Sequence, residues 1–208
     1  LDNFRYDQWR TLAKALANDF DIDEQLYYAI LPTVTQYARN ALFAGLMPLD
    51  LKQQYPHLWV DEEEDEGKNQ HEEELLRKQL ERLRQPTAFS YHKLNDSSAA
   101  EQALASYAEW SKHPLNVVVI NFIDMLSHAR TESKMVRELA SNEAAYRAIT
   151  LSWFRHSAIR ELFRRLAEGD AEVILTTDHG SIRVDRPCKV VGDRNVNTNL
   201  RYKLGKNL

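Results

Sequence analysis

Two short apolar runs constrain this chain more than anything else in it. Residues 116–122 (NVVVINF) and 171–177 (AEVILTT) are rich in β-branched side chains, carry little charge and are too short for typical buried helices. Both are continuous rather than alternating, as expected of strands covered on both faces. TAFSYHKL (87–94) reads as a further strand, and EQLYYAILP (24–32) as a short β-prone run ending at Pro32. Between these runs the apolar spacing turns helical. Residues 5–18 put Trp9, Leu12 and Leu16 on one face, and TQYARNALFAGL reads as a helix stopping near Gly45. Residues 98–112 and a charged stretch to about Leu83 are also helical in pattern. Residues 133–168 hold one long helix or two, with Gly169 as the stop. Strands separated by helices predict an α/β fold: a mainly parallel sheet with helices on both faces.

The 208 residues suffice for one sizeable core, so a single domain over 1–208 is expected. A formal net charge of −4 gives no basic excess for bulk binding to a phosphate backbone. Cys188 is the only cysteine, which excludes a disulfide framework and a Cys-rich zinc module. No apolar run approaches the roughly 18–20 residues of a membrane span, and a cytoplasmic location is expected. The chain begins at Leu1 as if inside an element, so the first strand reads as clipped. The acidic run 61–66 (DEEEDE) and the charged helix after it form a charged insertion over about 55–85, either solvated or, less simply, cation-binding.

In open parallel sheets, ligands bind beyond the carboxyl ends of the strands. The polar residues there are Asp2, Thr35, the Asp124/His128 pair and the adjacent Asp178 and His179. Carboxylate oxygen and imidazole nitrogen suit Zn²⁺. Asp124 and His128 share a helical face if a helix starts there. Thr35 stands where backbone N–H groups favour an anion such as phosphate. Each piece has a plain alternative: Asp124 as a helix cap, Asp178-His179-Gly180 as a turn, Thr35 as an N-cap. Their joint occurrence at successive strand ends is harder to dismiss.

In this order the residues resemble the alkaline phosphatase superfamily. DNFRYDQW, LPTVTQYARNALFAGLMP and NLRYKLGKNL are similar to the PglZ domain of PorX-type response regulators. That resemblance implies an alkaline-phosphatase-like core, a place downstream of a receiver domain in a two-component system, and a role in type IX secretion. It implies two zinc ions: one on Asp2, Thr35, Asp178 and His179, the other on Asp124, His128 and a last histidine. No later histidine follows His179, so that ligand is expected to lie outside the chain, which then reads as clipped at both ends. The implied activity is a metal-dependent phosphodiesterase acting on cyclic or linear oligonucleotides, and a homodimer is compatible with it.

The resemblance makes Thr35 the nucleophile, with Thr33 its competitor and Arg39, one helical turn further on, as a phosphate contact. A sulfatase is disfavoured, since Cys188 is far from the nucleophile position. A zinc-stabilised interaction module with little catalysis, and a phosphomonoesterase or phosphomutase of the same superfamily, remain open alternatives.

Overall fold

The computed structural model describes residues 1–61, 67–186, 188–192 and 201–205. Most of the acidic run 61–66 and part of the tail motif fall outside the described residues. The chain separates into two compact units: Leu1–Tyr28 with Thr87–Ser181, and Ala29–Pro86 with Ile182–Leu208.

The first unit is mixed α/β. It opens with α1 (Tyr6–Leu16). Strand β1 (Phe89–Leu94) pairs in parallel with β2 (Leu115–Ile120), from Phe89 opposite Leu115 to Leu94 opposite Ile120. The crossover between them carries α5 (Ser97–Ala105) and α6 (Tyr107–Trp110). Then follow α7 (Phe122–Glu132), α8 (Lys134–Leu139), α9 (Glu143–His156) and α10 (Ala158–Ala167). The second unit holds α2 (Thr35–Ala44), α3 (Pro48–Gln54), a single 3-10 turn (Pro56–Leu58) and α4 (Glu72–Arg82).

The core of the first unit follows from helical periodicity. Gln8, Leu12 and Leu16 form one buried stripe of α1, and Tyr146, Thr150 and Phe154 form another on α9. The polar members of these stripes pair: the Gln8 side-chain amide donates to Thr150 Oγ1 at 2.8 Å. Phe154 and Phe163 meet edge to face, 5.6 Å between centroids. In the second unit Ala44, Leu51, Leu58 and Leu75 are buried together. Gly45, at φ 58°, terminates α2 in the left-handed region that favours glycine.

Three expectations need correction. The run 24–32 forms no strand, and Leu26, Tyr28 and Leu31 are exposed. Its local β-preference has no neighbouring strand to act on, and β-preference without pairing is weak. The run 171–177 is not a buried strand: no ladder includes it, and Ile174 is 81% exposed. Val173 and Leu175 do pack against the core, so alternate residues face inward. Residues 133–168 make three helices rather than one or two. A new helix starts after Ser133, whose hydroxyl accepts from Val136 N, and another after Asn142, whose side chain accepts from Ala145 N. Within the charged stretch, α4 buries Glu72, Leu75 and Leu76. Among the described residues no helix is long and apolar enough to cross a membrane.

Candidate metal centre

The carboxyl end of β2 organises the site. Asp2 N donates to Ile120 O at 3.0 Å, and Leu1 N donates to Thr176 O at 2.9 Å. Residues 1 and 2 therefore join the end of β2 to the end of the extended run 171–177. Beyond that run the chain turns sharply around Thr177. Its hydroxyl donates to His179 O at 2.7 Å and accepts from Phe4 N at 3.0 Å. The Tyr27 hydroxyl donates to Thr177 O. This pinned turn brings the side chains of Asp178 and His179 back toward Asp2.

Asp2, Asp178 and His179 are all buried, at 4%, 5% and 3% exposure. His179 Nε2 lies 3.6 Å from Asp2 Oδ1 and 3.8 Å from Asp178 Oδ2, and the three donor atoms fall within 4.8 Å of one another. Donors about 2.0–2.1 Å from a tetrahedral ion stand about 3.3 Å apart, so a small inward movement would close the group on a cation. His179 Nδ1 is 3.2 Å from Gly180 O, an arrangement in which Nδ1–H donates and Nε2 keeps its lone pair for a metal. Asp178 Oδ1 accepts from Asn3 N at 3.2 Å and from His179 N at 2.9 Å, whereas Asp178 Oδ2 is buried with no hydrogen-bond partner. A buried, partnerless carboxylate oxygen is unfavourable unless something cationic meets it. The three residues thus fit a divalent metal in donor chemistry, spacing and charge.

Asp124 and His128 stand next to this group. α7 begins two residues after β2, which puts Asp124 in its first turn and His128 one turn later. Asp124 is not the cap of α7; Asn121 is. Asp124 Oδ2 lies 3.4 Å from His128 Nε2, and Asp124 Oδ1 accepts from the Asn3 side-chain amide at 3.0 Å. Burial works to raise the Asp124 pKa, but the His128 contact, the Asn3 hydrogen bond and the nearby His179 outweigh it and hold the carboxyl below its ordinary value. His128 is correspondingly raised, first by its hydrogen bond to Asp124 and with a smaller contribution from Asp2. These mutual influences tie the pair to the buried triad.

Thr35 belongs to the second unit. It is the first residue of α2, with Val34 in the cap position. Thr35 O accepts from Asn69 Nδ2 at 3.1 Å, and Arg201 donates to Thr33 through both its carbonyl and its hydroxyl. Arg39 is buried with its Nε bonded to the equally buried Glu72, so a phosphate contact there would compete with that carboxylate. Sequence reasoning passed over Asn3 and Thr177. Their only sequence signal is adjacency to Asp2 and Asp178, and a short polar residue beside a ligand does not announce its partner.

Comparison with curated proteins found no match. The family described as the BREX system PglZ alkaline phosphatase-like domain matches residues 1–208. The alkaline phosphatase-like description of that family points to hydrolase-type chemistry on phosphoesters. The chain belongs to the PglZ alkaline phosphatase-like family.

Proposed function

We propose that this chain is a zinc-dependent phosphodiester hydrolase domain acting on cyclic or linear oligonucleotides. The observation that carries the reading is the buried Asp2–Asp178–His179 group with its partnerless Asp178 Oδ2. These three residues would hold one ion, and Asp124 with His128 would contribute to a second. Bound zinc supplies Lewis-acid stabilisation of charge on the phosphoryl and leaving oxygens. Thr35 is the nucleophile of this scheme: its Oγ forms a bond to phosphorus, its proton passes to solvent, and the leaving alkoxide departs and is protonated. Water then attacks the phosphothreonine and releases the second product. Support for Thr35 is its place as the first residue of α2 and its match to the family pattern. Arg39 is the candidate phosphate contact. We extend the proposal to one phosphatase-like domain spanning 1–208, in the cytoplasm, working as the effector of a PorX-type response regulator downstream of a receiver domain.

The test pairs metal analysis with hydrolysis of bis(p-nitrophenyl) phosphate and p-nitrophenyl phosphate. Cleavage of the diester in preference to the monoester supports the proposal. Faster monoester cleavage makes the domain a phosphomonoesterase. Zinc bound without turnover of either makes it an interaction module. Thr35→Ala is expected to lower diester hydrolysis by on the order of 10³-fold while leaving zinc content unchanged. A variant retaining a third of the activity would remove Thr35 from the mechanism.

A further inference from the structure

Asn3 makes two contacts that no ligand list would contain. Its main-chain N–H donates to Asp178 Oδ1 at 3.2 Å, and its side-chain amide donates to Asp124 Oδ1 at 3.0 Å. Each carboxylate therefore has one oxygen held by Asn3 and keeps the other, Asp178 Oδ2 or Asp124 Oδ2, for a different partner. Asn3 is 2% exposed and sits at φ 55°, in the left-handed region. That conformation aims its N–H and its side chain at two different acceptors. Asn and Gly adopt it more readily than other residues. A turn residue chosen only for its backbone would have no need of a buried amide, and its Oδ1 would not be left inside without a hydrogen-bond partner.

We propose that Asn3 is a positioning residue joining the two metal-ligand groups, fixing Asp124 in relation to Asp178 so that Asp178 Oδ2 is left without a hydrogen bond and Asp124 Oδ2 stays beside His128 Nε2. This rests on the metal reading of the preceding section. Neutral donors suit the task. They orient the two anions without adding charge, and such outer partners of metal ligands commonly change affinity about 10- to 100-fold when removed.

The informative variant is Asn3→Gly. Glycine keeps the left-handed backbone and the N–H to Asp178, and removes only the amide to Asp124. The full chain, stripped of metal, is titrated with Zn²⁺ by calorimetry, in four forms: wild type, Asn3→Gly, Asp124→Ala and the double variant. Thermal melting without metal checks that each is folded. The expected result is two Zn²⁺ events in the wild type, the weaker one reduced about 10-fold or more by Asn3→Gly and the stronger one changed less than about threefold. In the Asp124→Ala background, Asn3→Gly should have no further effect, because its route of action is already gone. Equal losses in both backgrounds would mean a general structural role and overturn the proposal, as would an unchanged weaker event. A wild type that binds one ion also overturns it. A wild type that binds none overturns the metal reading as well, which separates the two failures.

Discussion

Replacing Asp178 with asparagine should make the metal-free protein more stable and the zinc-loaded protein less so. Asparagine keeps Oδ1 as acceptor for Asn3 N and His179 N. It replaces the partnerless Oδ2, 3.8 Å from His179 Nε2, with an uncharged amide nitrogen. A buried unsatisfied polar group costs about 1–3 kcal/mol, more when charged, and a carboxylate oxygen of Asp178 lies within 4.8 Å of one of Asp2. Relief of about 1 kcal/mol is expected in chelator, or about 2–4 °C in melting temperature for a chain of this size. With zinc at a hundredfold excess over its dissociation constant, the wild type gains about 2.7 kcal/mol. The variant, lacking a carboxylate ligand, should gain little. Thermal denaturation monitored by circular dichroism, with EDTA and then with zinc, reads both effects from one preparation. A variant that melts well below the wild type in EDTA would refute the idea that this carboxylate is strained for the sake of a cation. So would a variant with an undiminished zinc shift.

Two further perturbations test the ion pairs within each unit. Glu72→Ala removes the buried carboxylate partner of Arg39 and should destabilise the chain by about 3–5 kcal/mol in urea titration, whereas Arg39→Met combined with Glu72→Leu should cost much less. A similar loss in both would show that the ion pair is not the cause. Burial works to raise the pKa of Asp7 and of Glu143, but hydrogen bonds from Arg5 and Arg147 to the first, and from Arg5 and Arg130 to the second, hold both below their ordinary values. Depressed carboxylates stabilise the fold above their unfolded values of 3.8 and 4.5, and that contribution is lost as pH falls through the lower folded values. Stability measured from pH 6 to 3 should therefore drop steeply below about pH 4, and Asp7→Asn with Glu143→Gln should flatten that drop; equal steepness would contradict the assignment.

The parts of this protein that were legible in its sequence are those where pattern and environment agree. Most of NVVVINF and of TAFSYHKL forms strand, Leu115–Ile120 and Phe89–Leu94, because each finds a parallel neighbour in the other, while Asn121 and Phe122 already cap and open α7. AEVILTT is similarly apolar and β-branched, yet it meets its neighbours through single hydrogen bonds, from Leu1 N to Thr176 O and from the Tyr27 hydroxyl to Thr177 O. It stays extended without a ladder, and Ile174 remains outside. EQLYYAIL misled because propensity is local and pairing is not. Asp2, Asp178 and His179 were singled out as polar residues after extended runs, and they do come together as a buried group that could hold a metal. Asn3 was not, since its role depends on a left-handed turn and on two partners more than a hundred residues away. Glu72 was hidden among charged neighbours, and only the packing of α4 tells it from Glu73.

The donor set joins residue 2 to residues 178 and 179, and the Asn3–Asp178 hydrogen bond spans 175 positions. Contacts this distant along the chain are made only after the intervening segments have found their places. During synthesis, Asp2 emerges first and waits for nearly the whole of the chain described here before its two partners exist. Ion capture should therefore follow completion of the first unit rather than template it. In a pulse-labelled translation extract, zinc retention would act as a timestamp for chains extended past His179.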